Sequence, residues 1–270
     1  MVDKANGLYY YKYNKNRITS QGAYAQMEVR TMLTDMGTIL RQAKKEGYGV
    51  AAPNAWSLNT VKSIFEAASE LKAPVIIDGA GIHQIEEISD AVHFYEKKFP
   101  EVTAALNLDH GGPFEEIIQA IRCGYTSVMV DRSTLAFEEN VKEVAEIVKI
   151  AHAVGVSVEA ELGHIFTSEV VHGEGGSADS KDDYDDLDDI YTDPEVAKKF
   201  VELTGVDCLA VAFGTTHGVY LTEPKLDLPR VAKIREAANV PLVMHGGSGV
   251  SDEDYAVAIE NGICKVNYYT

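Results

Sequence analysis

Eight short apolar runs alternate with eight helical stretches along this chain, and that rhythm constrains the fold more than any other feature. The runs are YGVAAPN, APVIID, VTAALNLD, TSVMVD, VSVEAELG, CLAVAFG, VPLVMHGG and ICKVN. LTDMGTILRQAKKEG precedes the first run. NTVKSIFEAASELK, ISDAVHFYEKKF, PFEEIIQAIRCG, FEENVKEVAEIVKIAHAVG, PEVAKKFVELTG, DLPRVAKIREAAN and DEDYAVAIENG fill the gaps between runs. Their apolar residues recur at the three-to-four spacing of an amphipathic helix. Strands that are apolar on both faces and separated by helices form a parallel sheet covered on both sides. Eight such units in 270 residues fit an α/β (β/α)8 TIM barrel better than an open doubly wound sheet. The barrel is expected to span residues 33–270.

Residues 1–32 do not share the rhythm. Tyr9, Tyr10, Tyr11, Tyr13 and Tyr24 lie among Asn, Lys and Arg with no sustained period. They read as an N-terminal arm against the barrel or a partner subunit, with cloning residues at its start as the other reading. The 42 acidic and 24 basic residues give a formal charge of −18, which repels nucleic acid and argues against it as a partner. No apolar run approaches the roughly 18 residues of a membrane span. The opening MVDKANGLYYYKYNKNR lacks the apolar core of a signal peptide, so a cytoplasmic protein is expected. Cys123, Cys208 and Cys264 are odd in number and in no metal-type spacing, as buried thiols in a reducing compartment would be.

One connection is far longer than the rest. Between Glu161 and Tyr191, and counting from Ile165 to Ile190, it carries nine acids and one lysine. Loops of this length inside a domain are functional lids or disordered. Two readings stand: a solvated acidic loop, or a flap that supplies a carboxylate.

In a barrel of this kind the chemistry sits where the strands end. The strand-end residues are Asn54, Asp78, Asp109 with His110, Asp131 with Ser133, Glu161 with His164, His217, His245 and Asn267. His110, His217 and His245 are each followed by glycine, in DHG, THG and MHGG. Three imidazoles converging on the mouth would make a three-ligand metal site with an open position, as catalytic zinc uses; cobalt or manganese would suit it too. His93 and His152 fall on helices as ordinary face residues, and His83, His164 and His172 fall in loops. After the seventh strand comes HGGSG, and after the eighth KVNYYT. Loops at these two places commonly cradle a phosphate with backbone N–H groups. Gly246, Gly247, Ser248 and Gly249 offer such donors, with Asn267 and Thr270 beside them. A donor-rich nest holds an anion even on an acidic protein.

The blocks LDHG, SVMVD, FEENV, VEAELG, YTDPEVAKKFVELTGVDCLAVAFGTTHGVY, PLVMHGGSG and KVN, in this order, resemble the class II, metal-dependent fructose-bisphosphate aldolase family. That family includes tagatose-bisphosphate and other ketose-bisphosphate aldolases. The resemblance runs from about Leu33 to Thr270. It implies that His110, His217 and His245 hold one catalytic Zn2+, with Glu161 able to approach the metal in an alternative position. It implies Asp109 as the group that exchanges a proton with the C4 hydroxyl. Gly218, Gly246, Gly247, Ser248, Asn267 and Thr270 would hold the phosphate of dihydroxyacetone phosphate, with a monovalent cation near that phosphate. Relatives carry a second base in the loop after the fifth strand; Glu169 and Glu174 are the two candidates here. A homodimer or homotetramer is expected, acting on a small sugar phosphate.

The chemistry agrees with the residue types. Cleaving a C–C bond beside a ketone leaves an enediolate, and an open-site metal ion offsets that charge as a Lewis acid. A base must take the hydroxyl proton. Several substrate-facing segments depart from the family: APNAWS, IIDGAGIHQ, DRST in place of DGS, and Leu221 after HGVY. A ketose phosphate other than fructose 1,6-bisphosphate is therefore admitted, and so is a member that binds a sugar phosphate without turnover. A Schiff-base aldolase is the third reading, with Lys265 as its only strand lysine. In relatives the chain continues past the eighth strand, so a longer natural chain, or an unordered last part, is expected.

Overall fold

The computed structural model describes residues 33–81, 84–163, 165–167, 191–217 and 224–269. The arm over 1–32 and the acidic connection, with Glu169 and Glu174, lie outside the described residues, as do His83, His164, His172, Gly218 and Thr270. Among the described residues the expected alternation is present. Eight parallel strands make one sheet: β1 (Val50–Pro53), β2 (Val75–Ala80), β3 (Ala104–Gly111), β4 (Ser127–Val130), β5 (Ser157–Leu162), β7 (Cys208–Val211), β9 (Leu242–Met244) and β10 (Ile263–Tyr268). Their order is β1-β10-β9-β7-β5-β4-β3-β2. The ends of that order meet. Asn54 and Asp78 form a parallel bridge, and the Ala55 N–H donates to the Asp78 carbonyl at 2.7 Å. The sheet is thus a nearly closed (β/α)8 TIM barrel. Two minimal strands, β6 (Phe166–Thr167) and β8 (Thr216–His217), pair in parallel outside it; each is too short to leave a periodic trace in the sequence.

The helices are α1 (Met36–Glu46), α2 (Leu58–Leu71), α3 (Ile85–Tyr95), α4 (Phe114–Arg122), α5 (Phe137–Ala153), α6 (Pro194–Thr204), α7 (Leu228–Ala238) and α8 (Asp252–Asn261). Local chemistry defines several of their ends. Asp35 accepts from the Thr38 N–H at the start of α1, and Gly47 ends it in the left-handed conformation. Ser57 and Thr60 make a capping box on α2. Asp193 caps α6, with Pro194 at its first position.

The core has two parts. The larger lies between the strands and α2–α8, and holds Phe65, Leu106, Tyr125, Phe200 and Phe213. The smaller lies inside the barrel, where α1 packs Met36, Ile39, Leu40 and Ala43 against Val50, Ala52, Ile76, Ala105, Cys208, Ala210, Val243 and Cys264. α1 is therefore the floor of the barrel, a role its ordinary amphipathic pattern does not announce. Above that apolar floor the inward positions turn polar: Asp78, Asn107, Glu159 and Lys265 are all buried. The histidines and Asp109 lie above these, towards the strand ends. No described helix is long and apolar enough to cross a membrane.

Candidate metal and catalytic centre

The three glycine-followed histidines arrive from three separate segments. His110 is the penultimate residue of β3, His217 ends β8, and His245 follows β9. Their ring centroids lie 4.6 Å apart for His110–His245, 4.9 Å for His110–His217 and 5.6 Å for His217–His245. One nitrogen from each falls within 4.8 Å of the other two, close enough for a single ion at ordinary metal–nitrogen distances. Among the described residues, buried His217 has no hydrogen-bond partner on either nitrogen. A buried polar group is normally paired, so this imidazole fits a metal ligand far better than a packing residue. Burial, and then the neighbouring imidazoles, hold His217 well below the usual histidine range. Burial and His110 do the same to His245. Neutral imidazoles are the form that binds metal.

His110 differs. Burial works against its charge, but Asp109 and Asp131 outweigh it and lift its pKa to about 10. The site favours one positive charge among these carboxylates, and a divalent cation would replace that proton. The Asp131 carboxylate lies 3.0 Å from His110 Nδ1, fixing the ring as carboxylate partners of metal-binding histidines do. Asp131 also accepts from the Ser133 hydroxyl and N–H. His110 has φ +48°, an unfavourable backbone for a side chain with a Cβ. Arg132 steadies this turn, donating to the carbonyls of Gly111, Gly112 and Asp131 while pairing with Glu143. The arginine of DRST is thus a clasp on the loop that carries His110.

Asp109 is buried beside the triad, between two amides. Asn54 Nδ2 donates to Oδ2 at 2.8 Å and Asn267 Nδ2 to Oδ1 at 3.0 Å. Burial opposes its charge, yet His110, His245, Lys265 and the Asn54 amide together hold it below the usual carboxylate range. A poised anion within the site is what a proton acceptor requires. Glu161 is brought together with His110 and Asp131, not with the three-histidine group, in a second cluster of potential ligand atoms within 4.8 Å. Burial, then Asp131, push the Glu161 carboxyl well above its usual range.

A pocket opens over these groups, lined by Asn54, Asp109, the three histidines, Gly246, Gly247, Ser248, Asn267 and Tyr269. Gly246 has φ +63°, and a Cβ there would sit 2.6 Å from the Thr216 carbonyl carbon and oxygen. Only glycine allows the two loops to touch. The Ser248 hydroxyl donates to the Tyr269 carbonyl at 2.9 Å, and the Tyr255 hydroxyl donates to the Gly247 carbonyl, so the turn is held from both sides.

The Fructose-bisphosphate aldolase class-II family matches residues 34–270. The chain belongs to the class II fructose-bisphosphate aldolase family. Its structure is similar to that of the YdjI aldolase of Escherichia coli K12, with 37% identity, a TM-score of 0.76, and 88% of this chain and 82% of that one covered. A candidate fructose-1,6-bisphosphate aldolase from Coccidioides immitis is 31% identical over 87% of this chain and 81% of that one, with a TM-score of 0.75. Fructose-bisphosphate aldolase from Campylobacter jejuni shares the fold, with a TM-score of 0.72 and 23% identity over 88% and 77% of the two chains. The protein is accordingly an enzyme, a class II aldolase and carbon–carbon lyase, and its family generally uses a divalent metal.

Sequence reasoning left several residues of this aldolase centre without a part: Glu159, Asn107, Arg132 and Tyr269 all enter its network. Lys265, named there only as a Schiff-base lysine, enters it through Glu159. For Glu159 and Asn107 the available signal was a polar residue at an inward position of an otherwise apolar strand. His93 and His152 sit on helices beside Glu96 and Asp207, away from the centre. Cys208 and Cys264 are buried, Cys123 is half-buried, and all three are free thiols.

Proposed function

We propose that this aldolase is zinc-dependent and cleaves a ketose phosphate reversibly to dihydroxyacetone phosphate and an aldehyde. The observation that carries the reading is the convergence of three buried imidazoles, one with both nitrogens unpartnered among the described residues, beside an ionised aspartate. Zinc, when bound, supplies a Lewis acid for the ketone carbonyl beside the cleaved bond.

The chain's own residues divide the remaining work. Asp109 accepts the C4 hydroxyl proton on cleavage and returns it on condensation. The Asn54 and Asn267 amides keep its carboxylate ionised and oriented. Gly246, Gly247 and Ser248 form the phosphate cradle, whose backbone N–H groups suit an anion without a positive side chain. Neighbouring α8 is not needed for this: Ser251 caps it, and Asp252, Glu253 and Asp254 already occupy its first turn. Gly218 and Thr270 complete the cradle in this reading, and Glu169 or Glu174 acts as the second base. Glu161, grouped with His110 and Asp131, offers the metal a second position. The reading extends to a cytoplasmic homodimer or homotetramer.

A Schiff-base route requires a neutral lysine amine. Burial works against the charge of Lys265, but Asp78 and Glu159 outweigh it and hold the ammonium well above the usual lysine range. The proposal therefore expects no borohydride-trapped adduct.

The experiment is a panel of ketose mono- and bisphosphates assayed with zinc-loaded and chelated enzyme. Zinc-dependent release of dihydroxyacetone phosphate from at least one member supports the proposal. A protein that binds these sugars and cleaves none of them contradicts it.

A further inference from the structure

Beneath the imidazole triad lies a fully buried lysine that the reaction described above does not use. The ladder between β9 and β10 shifts register between Ile263 and Lys265. The Lys265 side chain runs inside the barrel, with no exposed surface. Its Nζ donates to Glu159 Oε2 at 2.8 Å and lies 3.4 Å from Asp78 Oδ2. The two carboxylates lead in different directions. Asp78 Oδ1 accepts from the Asn107 amide at 2.9 Å. Glu159 Oε1 lies 2.8 Å from His245 Nε2, between groups that are both essentially without solvent contact.

A carboxylate on Nε2 selects the tautomer with its proton there, leaving Nδ1, which the Asn267 amide approaches at 3.4 Å, as the lone-pair nitrogen that would hold the metal. It does so only while Glu159 is held in place. A buried carboxylate without a partner is costly and would turn away. Lys265 prevents this, as the cation that directly contacts Glu159. The opposite wall of the barrel holds the lysine in turn, through Asp78 and Asn107.

We propose that Lys265 is a positioning residue for the metal centre: through Glu159 it fixes the tautomer and orientation of His245. The inference rests on the three-imidazole metal reading. It adds a cross-barrel chain, Asn107–Asp78–Lys265–Glu159–His245, that joins strands β3, β2, β10 and β5 to a ligand after β9.

The test measures metal binding, not turnover. Zinc affinity of the full chain is obtained by competition with a chromophoric chelator, and the visible spectrum of the cobalt-substituted protein reports ligand geometry. Lys265→Met and Glu159→Gln are each expected to weaken zinc binding about 10- to 100-fold, the usual effect of losing an outer partner of a ligand, and to alter the cobalt bands. The double variant is expected to be no weaker than the worse single one, because both act along one path. If Lys265→Met does not fold, Glu159→Gln decides alone, since it keeps the Lys265–Asp78 contact and a hydrogen-bond acceptor for His245. Wild-type zinc affinity and unchanged cobalt bands in the folded variants would overturn the inference while leaving the metal reading intact. Absence of zinc binding by the wild-type protein would overturn both.

Discussion

At the scale of single residues, neighbouring side chains have different parts in the proposed reaction. Asp109 would carry proton transfer without contributing to the metal set. Asp109→Asn should therefore lower kcat by about 10²- to 10⁴-fold while zinc stoichiometry, read by atomic absorption, stays unchanged; loss of the metal would assign Asp109 a different part. Gly246→Ala places a Cβ against the Thr216 backbone at positive φ. A loss of about 2–4 kcal/mol in denaturant unfolding, with loss of activity, is expected from that clash and strain. The Cys264 thiol is buried, and burial raises its pKa to about 11. An acid whose folded pKa is raised contributes fully below its unfolded value and less as pH rises through the folded one. Between about pH 9 and 11 the protein should lose up to about 3 kcal/mol on this account. Urea titrations across that range should show a smaller loss in Cys264→Ala. The histidines, Asp109 and the Gly246–Ser248 turn were visible in the sequence because each sits at a strand end in a recognisable block. Lys265 was named only as a Schiff-base lysine; its pairing with Asp78 and Glu159 depends on how β10, β2 and β5 face one another across the barrel. Glu161 was visible as a strand-end acid, but its grouping with Asp131 depends on how β4 and β5 align.

At the scale of elements, alternation of apolar runs and amphipathic stretches was enough to predict the barrel. Each inward residue belongs to a strand whose outward neighbour faces a helix, so the runs read as apolar throughout. What alternation does not reveal is closure and the floor. Closure depends on the bridge between Asn54 and Asp78, a pairing between residues of ordinary strand-end type. The floor depends on α1, whose pattern matches that of the outer helices. Leu40 is fully buried between this helix and the inward side chains. Leu40→Ala should cost about 2–5 kcal/mol and lower the thermal midpoint of the metal-free and zinc-loaded forms alike. A change confined to the zinc-loaded form would mean that α1 belongs to the site and not to the core beneath it.

At the scale of the whole molecule, the formal charge of −18 coexists with a site proposed here to receive a cation and a phosphate. The two agree because attraction is local: a few carboxylates would draw in the metal, and backbone donors at the mouth would receive the anion. A ligand that binds only the folded protein stabilises it by mass action, so the melting temperature should rise with added zinc and fall with a chelator. The central claim is that one zinc ion at His110, His217 and His245 makes this fold an aldolase. It is tested most directly by titrating zinc into chelated protein while following dihydroxyacetone phosphate release from a ketose phosphate that the native enzyme cleaves. The account predicts no cleavage without metal, a linear rise, and a plateau at one ion per chain that His217→Ala abolishes. Full cleavage by the metal-free protein, or by His217→Ala, would contradict it.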